Sequence, residues 1–322
     1  MREPGTRAKV FWSFAAIYLI WGSTYLGIHV GIQTIPPFTL AAVRFLIAGG
    51  ALYLWARLRG EPGPGPRTWG LAAGLGTLFF VFGNGLVVWA EQFVPSGRTA
   101  LLASTAPIWT VFIESALDRW KRPPARVIIG IVCGMLGLAL LASPDEGGGK
   151  EGVVSILGVI ALVGASLAWA LGSVASHRSH LPASPAMATG MKMLGGGAQL
   201  AVVALVTGEG QRATVDQVSP ASWIALWYLI IFGSVIGFTA FTYLLRVTTP
   251  DAVNTSSYVN PAVAVVLGWA FANEIITGKM IIGALISLGG VVLIRWPTRK
   301  EPPPPEVDVG NLETGEFPIP TR

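Results

Sequence analysis

The sequence is poor in the residues from which most catalytic and metal sites are built. Of its 322 residues one is cysteine and three are histidine. Cys133, set in an apolar run, cannot form a disulfide framework within one chain and makes a thiolate metal site a poor reading. No metal or cofactor is expected. Charge is scarce as well. Asp, Glu, Lys and Arg make up 12% of the chain, against roughly 25% in an ordinary soluble domain. The mean hydropathy is +0.60. Together these exclude a soluble fold of this length. A G-x-x-x-x-G-K-[ST] phosphate loop is absent too, so direct ATP hydrolysis is not expected. The formal charge of +5 is scattered between apolar stretches and does not form a face for nucleic acid.

What is present is apolar length. Val10 to Gly31 runs without a formal charge, and roughly 20 such residues suffice to cross a bilayer core about 30 Å thick. Comparable runs recur over 38–57, 69–90, 99–117, 127–143, 153–176, 186–206, 222–245, 252–273 and 280–296, which makes ten predicted spans. The first is too long, and lacks the cleavage signal, for a removable signal peptide. The pattern predicts an all-α integral membrane protein of ten transmembrane helices. Its expected partners are the lipid bilayer and a small-molecule substrate; the oligomeric state is not legible.

Lys and Arg set the orientation, because basic loops stay in the cytoplasm. With the N-terminus inside, sixteen basic residues fall in cytoplasmic segments. Four, Arg98, Lys150, Arg212 and Lys279, fall outside, and Arg44 and Lys192 lie within spans. Both termini are therefore expected in the cytoplasm. The segment 143–151, SPDEGGGKE, is expected to join two halves on the outside. Residues 297–322, which open PTRKEPPPPE, read as a disordered cytoplasmic tail.

An internal repeat divides the chain. Trp21-Gly22-Ser23 is matched by Trp169 through Ser173, Arg44 by Lys192, Pro95 to Pro107 by Pro250 to Pro261, and Arg126 to Gly130 by Lys279 to Gly283. Each half, 10–143 and 153–296, holds five spans. An odd number turns the second half over in the membrane, giving two inverted five-helix repeats of the kind common in secondary transporters.

The segments WGSTYLGIHVGIQTIPPFTLAAVRFLIAG, from Trp21, and SSYVNPAVAVVLGWAFANEIITGKMIIGALISLGGVVLI, from Ser256, resemble the EamA family of the drug/metabolite transporter superfamily over residues 11–296. The WGSTY opening, the GNG at 83–85 and the VPSG at 94–97 are similar to its bacterial YedA-like permeases. The resemblance implies a bacterial inner-membrane carrier with a central cavity and no ATPase domain. It would export amino acids or other small amphipathic metabolites, and it would not be an enzyme. The alternative within transport is a carrier of anionic or sugar-linked metabolites. Outside transport the alternatives are a sensor or structural protein and, more remotely, a membrane enzyme using His177 and His180.

The polar residues inside spans nominate the pathway. Span nine opens with Asn254, Thr255, Ser256, Ser257, Tyr258 and Asn260, groups that would be costly against lipid. Pro261 lacks an N–H and would free the Ser257 carbonyl and kink the span; Pro107, following Ser104 and Thr105, is its counterpart. Substrate-binding candidates are Trp21, Asn84, Trp89, Thr105, Trp169, Tyr243, Ser257, Tyr258 and Asn260. The competing reading is that the hydroxyls bond their own backbone and the indoles pack between helices. Arg44 and Lys192 each lie six residues into a span, from opposite faces. Either could anchor an anionic group or reach an interface and brace a helix, and bracing is expected of at least one. Glu114 is expected to pair with the Arg119–Arg126 cluster, the alternative being a proton-coupling role.

Overall fold

A computed structural model describes residues 4–117, 125–142, 156–179, 181, 184–212, 215–248 and 256–295. Among these every long element is helical. In chain order they are α1 Pro4–Gly31, α2 Pro37–Leu58, α3 Pro66–Gly76, α4 Leu86–Ala90, α5 Ser96–Ala103, α6 Ala106–Leu117, α7 Ala125–Ala142, α8 Ile156–His177, α9 Pro185–Val206, α10 Glu209–Arg212, α11 Pro220–Tyr228, α12 Gly237–Val247, α13 Ser256–Phe271 and α14 Gly278–Arg295. Two π-helical segments, Thr77–Gly85 and Leu229–Ile236, join α3 to α4 and α11 to α12.

The spans start where local chemistry allows. α2, α3, α9 and α11 each begin at a proline, which needs no donor partner in the first turn and has its φ already set. Ser184 and Ser219 cap α9 and α11 by accepting from Met187 N at 3.3 Å and Ser222 N at 3.2 Å.

Six helices are long and apolar enough to cross a membrane: 7–31, 37–58, 66–90, 156–176, 185–206 and 220–241. Shorter apolar helices cover 125–141, 259–271 and 278–290. Large apolar side chains such as Leu136, Leu157, Val206 and Leu285 point outward and are exposed. A surface of that kind is stable against hydrocarbon, not water. Inside, Phe45, Phe80, Met193 and Leu200 are fully buried where α2, α9 and the first π segment meet.

Helices pack across the two halves. α2 runs along α9 and α7 along α14; α1 lies on α11, α12 and α13, while α8 lies on α4, α5, α6 and the first π segment. Exchanging the halves maps these contacts onto one another. Small residues make the approach possible. A Cβ on Gly49 would stand 3.0 Å from Gly190 O, and one on Gly190 2.8 Å from Tyr53 N. On the other seam a Cβ on Gly137 would stand 2.7 Å from Gly283 O, and one on Gly290 2.5 Å from Gly130 O.

Two elements differ from the sequence expectation. The fourth apolar run is broken, not kinked: α5 ends at Ala103 and α6 starts at Ala106, with Pro107 in the first turn of the new helix. Its counterpart Pro261 sits inside α13. The first helix also begins six residues earlier than its apolar run, because helix geometry continues into polar sequence where burial does not.

Candidate functional site

A cavity of about 180 Å³ lies between the halves. That is below the roughly 300–1,000 Å³ of pockets for drug-sized ligands, so it suits a small solute. Its wall takes Trp21, Thr24 and Tyr25 from α1, Arg44 from α2, Asn84 from the first π segment, Ser104 from the break after α5, Ser166, Trp169 and Ser173 from α8, Phe238 and Phe241 from α12, and Ser256, Asn260 and Pro261 from α13.

Aromatic rings form one side. Trp21 meets Trp169 edge-on at 6.4 Å between centroids, Phe238 at 5.2 Å and Phe241 at 5.1 Å. Phe79 supports Trp169 from behind at 5.1 Å. The Trp21 indole N–H donates to Gly233 O at 3.2 Å, which fixes the ring and satisfies its polar edge.

The hydroxyls mostly spend their protons on backbone. Thr24 Oγ1 donates to Trp21 O at 2.7 Å, Ser104 Oγ to Leu101 O at 2.7 Å, Thr105 Oγ1 to Leu102 O at 2.7 Å and Ser173 Oγ to Trp169 O at 2.8 Å. Ser166 Oγ has Leu162 O at 3.0 Å and Leu102 O and Ala103 O at 3.3 Å. At the break in the fourth run, hydroxyls thus meet the Leu101 and Ala103 carbonyls, the latter facing Pro107, which has no N–H to offer. With their protons engaged, Thr24, Ser104, Ser166 and Ser173 offer the cavity acceptor lone pairs.

The two asparagines act alike. Asn84 Nδ2 donates to Phe79 O at 3.0 Å, five residues back, and so ties the π segment to itself. Hydrogen bonding orients the Asn260 amide with Nδ2 towards Ile17 O and Tyr18 O, both at 3.1 Å, and Ser256 O at 3.3 Å. In both, the nitrogen braces helices. The oxygen remains as an acceptor in the cavity wall.

Arg44 supplies the donors. It is only 3% exposed. Nε donates to Ser234 Oγ at 2.8 Å, and the guanidinium lies 4.9 Å from the Phe45 ring centre. Among the described residues neither Nη has an acceptor, and the side chain lines the cavity. Gly233 makes the room: a Cβ there would stand 2.9 Å from Nη2. Lys192 is placed differently. Its Nζ sits 5.3 Å from the centre of the Phe79 ring, behind the aromatic wall. Each span-two cation therefore rests on the π segment of the opposite half.

The cavity brings together Trp21, Arg44, Asn84, Trp169, Asn260 and Pro261 of the sequence candidates. Trp89 packs on Phe93 at 5.1 Å near the end of α4, Tyr243 lies on α12, and Thr105 and Pro107 are buried at the helix break. None of these four lines the cavity. The side chains of Ser257 and Tyr258 lie outside the described residues, as do His177's side chain, His180, the 143–151 linker, most of the basic cluster proposed for Glu114, and the 297–322 tail. Sequence reasoning missed Tyr25, Ser166, Phe238 and Phe241, which look like ordinary helix residues; their role depends on which way each helix is turned.

Comparison with known proteins agrees with this architecture. The model of the EamA-like transporter family matches residues 9–143 and again 156–296. A protein described as uncharacterized inner membrane transporter YedA, from Escherichia coli strain K12, is 37% identical over 266 residues, 82% of this chain and 83% of that one. Uncharacterized transporter YoaV of Bacillus subtilis strain 168 is 26% identical over 88% of this chain and 96% of its own. A probable terminal-alkyne amino-acid exporter of Streptantibioticus cattleyicolor is 25% identical over 89% and 93%. One protein of known crystal structure shares the fold, with a TM-score of 0.61 at 20% identity over 89% of this chain and 97% of that one. With both halves matched by one family model and 37% identity over 82% of its length to an inner-membrane transporter, this chain belongs to the EamA-like transporter family.

Proposed function

We propose that the protein is a secondary transporter that exports small zwitterionic metabolites, amino acids foremost, by alternating access between two inverted five-span halves, 10–143 and 153–296. The observation that carries this reading is the division of labour in the cavity wall. The free Nη groups of Arg44 match a carboxylate, which a guanidinium binds bidentately. The acceptors on Asn84, Asn260 and the cavity serines match an ammonium group. The Trp21–Trp169–Phe238 wall takes an apolar side chain and adds a cation–π face. A solute with all three features is an amino acid or a close relative. The name of the Streptantibioticus relative points the same way.

Both halves contribute to the wall, so rocking one against the other would open it to each side in turn. The proposed orientation keeps both termini cytoplasmic, with the α1–α2 and α4–α5 turns outside. Arg44 also supports a second reading, a carrier of purely anionic metabolites. Counterflow in proteoliposomes tests both: a labelled amino acid should exchange saturably against its unlabelled form, and failure across the amino acids with success for organic anions would select the second. No exchange with amino acids, anions, sugars or cationic drugs would remove transport altogether.

A further inference from the structure

Among the described residues, the end of the bundle that carries the α1–α2 turn holds three carboxylates that are not exposed, and two have evident work. Glu209 accepts from Phe38 N at 3.2 Å, Thr39 N at 2.8 Å and Thr39 Oγ1 at 3.1 Å, and so caps α2. Glu274 accepts from Ser96 N at 2.6 Å and Gly97 N at 2.9 Å, and so caps α5. Each is an anion at a helix N-terminus, where exposed N–H groups and the helix dipole favour negative charge.

Glu91 is the third and its surroundings are the reverse. It follows the span 66–90 as the cap residue at the C-terminus of α4, where the dipole opposes negative charge. It is 3% exposed, and neither carboxylate oxygen has a hydrogen-bond partner. Both oxygens are buried by the same packing. An ionised carboxylate so placed would be unsolvated and unpaired, which costs far more than burying the neutral acid. The charged and titratable groups around it among the described residues are Arg44 on α2, which favours its charge, Glu274, which opposes it, and Tyr25 on α1. Arg98 on the neighbouring α5 has an interaction of its own. α8, also packed on α4, carries no charged residue along 156–176.

We infer that Glu91 is a proton-binding site, protonated while the helix ends are closed around it and ionised beside Arg44 when they part, so that proton movement is tied to the change of access. On release the proton passes from the carboxyl oxygen to water, and the carboxylate takes Arg44 as its counter-charge. Arg44 then has two competing anions, Glu91 and the carboxylate of the solute. Proton and solute become linked through one guanidinium. The inference rests on the transport reading for its purpose, though not for the existence of the site.

The test uses the whole protein in lipid nanodiscs, with the proton as probe and infrared difference spectroscopy as readout. The wild-type protein should keep the carbonyl absorption of a protonated carboxylic acid well above the ordinary glutamate titration near ~4.3. Glu91→Gln should lose that band, while Glu114→Gln retains it. On transfer to D2O the band should shift slowly, as the closed site opens. A wild-type spectrum without the band, a band unchanged by Glu91→Gln, or one that shifts at once on mixing overturns the inference. Gln copies the neutral acid, so Glu91→Gln should fold and be at least as stable as wild type at neutral pH; failure to fold while Glu91→Asp folds also overturns it. Because this readout needs no solute, absent counterflow with an intact band would fault the transport reading alone, and counterflow without the band would fault the proton site alone.

Discussion

Arg44 and Lys192 occupy matching places in the two halves and do different work. Their depth was legible in the sequence, as six residues from opposite faces. Which one reaches the cavity was not, because that depends on the rotation of α2 and α9 against their neighbours and on the space left by Gly233. A charge-assisted pair is worth about 1.5–3 kcal/mol, so Arg44→Gln should raise the half-saturation concentration for carboxylate-bearing solutes by about 10- to 100-fold. Solutes lacking a carboxylate should be much less affected. Lys192→Gln, which removes a cation from behind Phe79, should change all solutes alike and by less than about threefold. Counterflow with a matched pair, one amino acid and its amide, reads both. At the same scale, Trp21→Phe removes the hydrogen bond to Gly233 O and should lower stability by about 1 kcal/mol, seen in thermal unfolding in detergent.

Among the elements, helix positions followed from apolar length, and the proline starts of α2, α3, α9 and α11 were readable as breakers. The π segments were not. A shift from an i→i−4 to an i→i−5 bond leaves no compositional mark, and the glycines at 83, 85 and 233 read equally well as packing residues. Asn84 closes the first π segment on itself through Phe79 O. Asn84→Ala should therefore disturb both a cavity acceptor and the helix that presents it, reducing counterflow more than stability. Equal loss of both would mean that the asparagine only packs. The α7–α14 seam offers a cleaner contrast, since it lies away from the cavity. Gly137→Val puts a branched side chain against Gly283 O and Ser287 N and should cost about 1–3 kcal/mol, measured as a lower unfolding temperature with the half-saturation concentration unchanged in the protein that still folds.

For the whole molecule, the sequence revealed the repeat through a handful of matched residues, and the structure adds the exchange of contacts between halves. The sixteen-to-four bias of basic residues predicts where each loop lies, a property of the membrane and not of the bundle. Single cysteines introduced after replacement of Cys133 would report it with an impermeant thiol reagent in intact cells. A cysteine among Gly147–Gly149 should label and one in 297–322 should not; the opposite pattern would invert the molecule and place Glu91 on the cytoplasmic side. The candidate site was only half legible. Rare residues inside spans drew attention to themselves, whereas Tyr25, Phe238 and Phe241 gained their place from tertiary geometry alone.

The interrupted fourth run has a further bearing on how tight the protein is. Ser104 and Ser166 cover the carbonyls of Leu101 and Ala103 at the break, while Leu102 O also takes the Thr105 N–H, and uncovered carbonyls beside a polar cavity would invite water into single file. The hydroxyls are thus a gasket, and their loss should show as leakage. Ser166→Ala or Ser104→Ala in vesicles loaded with a pH-sensitive dye should let an imposed pH gradient decay faster with no solute present, even where solute exchange is preserved.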